Sequence, residues 1–279
     1  MREIFDLHVH TRFSIDADES GENSILHLST KAKKQGFSGI AFTDHFDANL
    51  VIDGIEPHDG ESIKCEIDKA RSSLCDDTFK IINGIEFGAQ RYFQEFCAAE
   101  ALKYGYDMVI SSVHIPGADS NRYYLSKAEL DKWSDSEIIS VFDLYMDDLV
   151  YTAKHCDFDV LAHITYPLRY FRRYGKDHLV PMEKYADMYD EIFRQLICRG
   201  KALEVNTSGL RQGHGETYPN LPLIKRYIEL GGEIFTIGSD SHRPCDIFSD
   251  IISTSDALAL VGANYLCYFE KRKPSFIKL

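Results

Sequence analysis

The 279-residue sequence predicts an α/β fold in one domain, residues 1–279, with parallel strands closed into a barrel. Three observations predict it. Seven short apolar or β-branched runs recur along the chain, and each ends in polar, reactive residues. Longer amphipathic segments follow these runs, and strand–helix units in series imply a parallel sheet. No repeat, low-complexity tract or Pro/Gly/Ser linker interrupts the series. An open doubly wound sheet satisfies the same pattern. Seven units and the placement of the chemistry favour a barrel, one unit short of the usual eight.

The runs are Ile4–Leu7, Gly39–Thr43, Lys80–Gly84, Met108–Ser112, Val160–Ala162, Ala202–Val205 and Glu233–Ile237. Segments this short and apolar suit strands buried on both faces. Helical periodicity marks Ser24–Gln35, Tyr92–Tyr104, Ser136–His155, Met182–Arg199 and Leu221–Leu230. Gly36, Gly105, Gly200 and Gly231 stand where helices should end. The Tyr265–Lys271 run reads as an extra strand or as a segment packed across the barrel. The 115–135 loop, with Tyr123 and Tyr124, reads equally as a cover for the site or as surface packing.

The formal net charge of -13 argues against nucleic acid and membrane surfaces as partners, since phosphate backbones are held mainly by Lys and Arg. Small anionic substrates remain open, because carboxylates that bind metal count as negative in the sequence yet line a locally cationic site. The first ten residues, MREIFDLHVH, lack the apolar core of a signal peptide, and no stretch reaches bilayer length. Seven cysteines without a CxxC pair read as reduced thiols in a cytoplasmic protein.

The chemistry gathers at strand ends. Strand one ends in His8-Val9-His10, strand two in Thr43-Asp44-His45, strand three in Gly84-Ile85-Glu86. Strand four runs into His114, strand five into His163, and strand seven into Asp240-Ser241-His242. In α/β barrels these ends converge on one face, where active sites are built. Residues two apart on a strand point the same way with bases roughly 7 Å apart, so His8 and His10 can converge on one ion, as can Asp240 and His242. Imidazole and carboxylate donors without thiolates suit Zn, Mn or Fe. His27, His58, His155 and His178 receive no catalytic role. His214 reads as exposed.

In this order, DLHVHTRFSIDA, AFTDHF, INGIEFG, ISSVH, VLAHITYP, LEVNTSGLR and TIGSDSH resemble the PHP family, named for polymerase and histidinol phosphatase, over essentially the whole chain. The resemblance implies a distorted, TIM-like (β/α)7 barrel with two or three divalent metal ions. By matched position, His8, His10, Glu86 and Asp240 would hold one ion. Glu86 would bridge to a second, completed by His114 and His163, and Asp16, His45 and His242 would hold a third. Asp18 is the alternative to Asp16. The NTSGLR stretch and the Tyr-Pro-Leu-Arg after His163 suggest the histidinol-phosphatase branch. There Arg169 and Arg211 would clamp the substrate phosphate, with Arg172 and Arg173 as neighbouring alternatives to Arg169. Guanidinium forks suit phosphate oxygens.

The expected function is metal-assisted hydrolysis of a small phosphomonoester, with L-histidinol phosphate as the substrate. Glu86, Asp240 and His242 are the candidate catalytic residues. Competing readings are a nucleotide or other small phosphoester as substrate, an amidohydrolase-like metal hydrolase, and a metal-binding barrel without activity. The amidohydrolase reading needs a bridging lysine, and none stands at the ends of strands three to five.

Overall fold

The computed structural model describes residues 3–55, 58–119 and 123–279. Its strands are β1 (Phe5–Val9), β2 (Gly39–Phe42), β3 (His45–Asp47), β4 (Lys80–Gly88), β5 (Met108–Ser112), β6 (Val160–Leu161), β7 (Ala202–Asn206), β8 (Phe235–Gly238), β9 (Tyr265–Glu270) and β10 (Lys273–Lys278). The helices are α1 (Ile25–Lys34), α2 (Ala48–Ile52), α3 (Gly60–Leu74), α4 (Gln94–Ala101), α5 (Asp135–His155), α6 (Leu168–Arg173), α7 (Ala186–Arg199), α8 (Ser208–Arg211), α9 (Leu221–Glu229) and α10 (Ile251–Leu260).

The parallel sheet runs β1-β2-β4-β5-β6-β7-β8, and β3 prolongs β2 by pairing with the second half of β4. It closes where the chain beyond β8 returns to β1: Asp240 N–H donates to the His8 carbonyl and His10 N–H to that of Ser241, each at 2.8 Å. The seven-stranded TIM-like barrel is thus observed. The closing hydrogen bonds are made by the residues expected to carry ligands.

A bulge in β1 sets their direction. Asp6 pairs with Ile40 and Val9 with Phe42, so β1 carries one residue more than β2 across this step. Phe5 and Leu7 pack in the barrel interior with Ala41, Ile82, Met108, Ile110 and Val160, whereas Val9 packs outward among the helices. A bulge re-aims the side chains that follow it, and here His8 and His10 face the interior above that packed layer.

α1, α5 and α9 lie within one residue of their expected bounds, α7 starts four residues late, after a 3-10 turn at Met182–Tyr185, and the Tyr92–Tyr104 segment is α-helical only at Gln94–Ala101. The four glycines adopt positive φ of 81°, 60°, 64° and 96° in chain order. A capping box starts α5, where Ser134 and Glu137 exchange hydrogen bonds.

Among the described residues the short helices α2, α6 and α8 and the longer α3 and α10 had no sequence counterpart. In α3 only Ile63, Ile67 and Ala70, besides Gly60, are buried, a stripe too narrow to stand out in GESIKCEIDKARSSL. α10 is apolar around much of its girth and begins at Asp250 with φ of 60°, without a side-chain cap.

The C-terminal run is a strand, and it pairs with a partner that was not foreseen. β9 and β10 form an antiparallel hairpin whose Cys267, Phe269 and Ile277 join the barrel-interior cluster. Its two-residue turn, Lys271–Arg272, has positive φ at both positions. Arg272 donates to Asp157 and Asp159, and Lys271 N–H to Asp107. These acids precede β5 and β6, so the hairpin seals the end of the barrel opposite the histidines.

Candidate active site

The ligand-type residues from six strand ends meet at the C-terminal mouth. His8 and His10 approach each other at 3.1 Å between Nε2 atoms. Glu86 Oε2 lies 3.3 Å from His8 Nε2 and 3.5 Å from His10 Nε2. Asp240 Oδ1 lies 3.8 and 3.4 Å from the same nitrogens. The other Glu86 oxygen, Oε1, is 3.1 Å from His114 Nε2 and 2.9 Å from His163 Nε2. A third group gathers His45 and His242, 3.3 Å apart through Nε2, with the Asp16 carboxylate 3.4 and 3.3 Å from them. Asp18 turns away to accept from Ser20 N–H at 2.7 Å, so Asp16 is the residue brought to the cluster.

These spacings fit divalent cations. Ligand bonds of about 2.0–2.1 Å to a tetrahedral ion place donor atoms about 3.3 Å apart, close to the observed separations. The electrostatics agree. Burial alone would raise the Glu86 carboxyl, but the imidazoles of His114, His8 and His45 outweigh it and hold it well below the usual carboxylate range. Asp240 is treated likewise by His8, His10 and His242. Burial lowers His8, yet Glu204, Glu86 and Asp240 together pull it well above its ordinary value. The carboxylates thus favour positive charge at this spot. Glu86 Oε2 is buried with His45 Nδ1 2.9 Å away but makes no well-directed hydrogen bond, an arrangement that a cation between these atoms would fit.

The outer partners were not read from the sequence. Glu204 on β7 accepts from His8 Nδ1 at 2.5 Å, and its other oxygen takes His163 N–H at 2.9 Å. Asp47 accepts from His114 Nδ1 at 2.9 Å, and Ser14 lies between His10 Nδ1 and Asp44. Asp44, at the end of strand two, therefore braces the loop after β1 instead of joining the clusters. Such carboxylate–histidine pairs fix the tautomer and aim of a ligating ring. A signal existed for Glu204, a lone buried acid on an apolar strand, but its partner is 196 positions away.

Close packing leaves no room for side chains at two glycines. A Cβ at Gly238 would lie 2.4 Å from His8 Cβ, and one at Gly88 would strike Asp47 Oδ1. His163 and Asp240 hold φ of 28° and 52°, a region that costs non-glycine residues about 1–3 kcal/mol and persists where the surroundings impose it.

The clusters open into a cavity of about 840 Å³ that Arg169 and Arg211 also line. Arg169 is held between the Tyr166 and Tyr170 rings, at 4.9 and 4.7 Å, and donates to Gln212. Arg211 donates to the Asp240 carbonyl at 2.9 Å, while its Nη1 is buried without an acceptor. Arg172 turns to Asp177 and the His214 carbonyl and Arg173 is exposed; neither lines the cavity. Tyr124 lines it, whereas Tyr123 packs on Trp133. His214 is a correction: it is buried against the Tyr218 ring, away from the cavity.

The family description "PHP domain" matches residues 6–208. The chain belongs to the PHP-domain family. A PHP-domain relative from Clostridium acetobutylicum named probable histidinol-phosphatase is 32% identical, with 96% of this chain and 98% of that one covered. The histidinol-phosphatase of Lactococcus lactis is 27% identical over 85% of this chain and 83% of its own. In fold, the PHP barrel resembles the crystal structure of histidinol phosphate phosphatase from Lactococcus lactis complexed with zinc, L-histidinol and phosphate. The TM-score is 0.81 at 23% identity, and 98% and 99% of the two chains are covered.

One prediction concerns the outer partners. Glu204→Gln keeps an oxygen for His163 N–H but removes the charge facing His8 Nδ1. Metal retention against a competing chelator should weaken about 10–100-fold, and unaltered retention would show that Glu204 does not support His8.

Proposed function

We propose that this chain is a metal-dependent phosphomonoesterase that hydrolyses L-histidinol phosphate to L-histidinol and phosphate in histidine biosynthesis, as one cytoplasmic unit spanning residues 1–279. The observation that carries the reading is the joining of the His/carboxylate clusters with Arg169 and Arg211 in one cavity. The 32% identity to a probable histidinol-phosphatase over nearly the full length supports the substrate.

His8, His10, Glu86 and Asp240 would hold one ion, Glu86, His114 and His163 a second, and Asp16, His45 and His242 a third. The donor set suits Zn, Mn or Fe. Bound divalent cations supply a water acidified towards neutral pH and positive charge for phosphoryl oxygens. The chain's own groups do the rest. Arg169 and Arg211 receive the phosphoryl oxygens and stabilise the charge that shifts onto them in the transition state. Glu86 keeps two clusters in register through its two oxygens. Asp240 and His242 line the cavity, where either would assist delivery of a proton from water to the leaving alkoxide.

The test is phosphate release from L-histidinol phosphate by the purified protein with Mn or Zn added, and with chelator as control. Metal-dependent release well above that from p-nitrophenyl phosphate or nucleotides is expected. Turnover confined to another phosphoester would overturn the substrate and leave the metal site standing.

A further inference from the structure

The cavity lining combines unlike chemistry. Arg169 and Arg211 line it, and so do Leu50, Ile115 and Tyr124, which pack together as an apolar group, with Ile15 and Ile55 also on the lining. Ile15 and Ile55 are 59% and 53% exposed. Leu50 and Tyr124 pack on the small buried cluster of Ala89, Ile115 and Ala118.

The loop that carries Tyr124 is anchored from several directions. Gly117 N–H donates to buried Asp148 at 3.1 Å, and Tyr92 holds the same carboxylate at 2.6 Å. Tyr123 N–H donates to the Pro116 carbonyl at 3.2 Å, and the Tyr123 ring meets Trp133 edge-on at 6.0 Å. Tyr124 itself packs beside Leu50 and Ile115, with Lys127 Nζ 5.8 Å from its ring, and a side chain already packed before a ligand arrives reduces the ordering cost of binding.

A phosphoester with its phosphate against the arginines and ligand clusters must direct its organic end to the remaining wall. We propose that Tyr124, backed by Leu50 and Ile115, binds a flat ring at that end and makes the site selective for ring-bearing phosphomonoesters over ringless ones. Aromatic and aliphatic walls hold a flat ring by area burial and offset stacking. The inference rests on the phosphomonoesterase reading of the site and adds the residues that read the substrate's organic part.

The experiment compares kcat/KM for L-histidinol phosphate, p-nitrophenyl phosphate and O-phosphoethanolamine, which keeps a phosphate and an ammonium but has no ring. In Tyr124→Ala the preference for the ring-bearing esters over O-phosphoethanolamine should fall about tenfold, mainly through KM, the size expected for one stacking partner. Tyr124→Phe should restore that preference to within about twofold of wild type. An unchanged preference in Tyr124→Ala, an equal loss on all three esters, or failure of Phe to restore it would overturn the proposal. If wild type releases nothing from L-histidinol phosphate, the substrate assignment fails, and the ratio of p-nitrophenyl phosphate to O-phosphoethanolamine still decides on Tyr124. No turnover of any ester would overturn both.

Discussion

Glu86→Gln should abolish phosphate release, a loss of about 10³-fold or more, while the far-UV circular dichroism stays that of the folded barrel. The reason is the division of labour between two oxygens. Oε1 lies within 3.1 Å of both His114 and His163, and Oε2 within 3.5 Å of both His8 and His10. Glutamine fills the same volume but has one acceptor oxygen, and its NH₂ cannot ligate a cation. Whichever way the amide turned, one of the two proposed cation sites would lose a ligand. The carboxylate that offsets the surrounding imidazoles is also lost, so cations at both sides are held less firmly. Elemental analysis should find at least one ion fewer per chain than in wild type. Retained turnover with full metal content would sink the bridging role.

The metal-type residues were legible because each lies at a strand end, where the barrel topology by itself decides which side chains converge. His8, His10, Glu86, His114, His163 and Asp240 could be placed together from seven short apolar runs and their last residues. The bulge in β1 was not legible. A strictly alternating strand would put Leu7 and His8 on opposite faces, and only the register with β2 shows that both turn inward. Glu204 and Asp47 were missed for a related reason. Their work is a hydrogen bond to a ring nitrogen on another strand, and sequence spacing carries no trace of it. The β9–β10 hairpin escaped because its second strand, KPSFIK, buries only Ile277. His214 was misread because a Gly-flanked loop suggests exposure, whereas stacking on Tyr218 buries the ring.

Arg211→Met is expected to lower kcat/KM by about 10²–10³-fold, the usual effect of removing a preorganised donor to developing oxyanion charge. Arg211 ends the short helix after β7 and is tied to the site by its hydrogen bond to the Asp240 carbonyl. Its Nη1 is buried and unpaired. A buried donor without an acceptor carries a desolvation cost of about 1–3 kcal/mol, which a phosphoryl oxygen would remove on binding. Arg169 differs, because its two aromatic neighbours and Gln212 already occupy much of its surface. Losing Arg169 should therefore cost less than losing Arg211, although both line the cavity. Arg173→Met, which removes an exposed cation of the same basic stretch, should stay within about twofold of wild type. Metal content should be unchanged in all three variants, and inhibition by inorganic phosphate should weaken most in Arg211→Met. Equal losses in the Arg211 and Arg173 variants would mean that the two arginines act only through the overall charge near the cavity and that the contacts of half-buried Arg211 carry no special role.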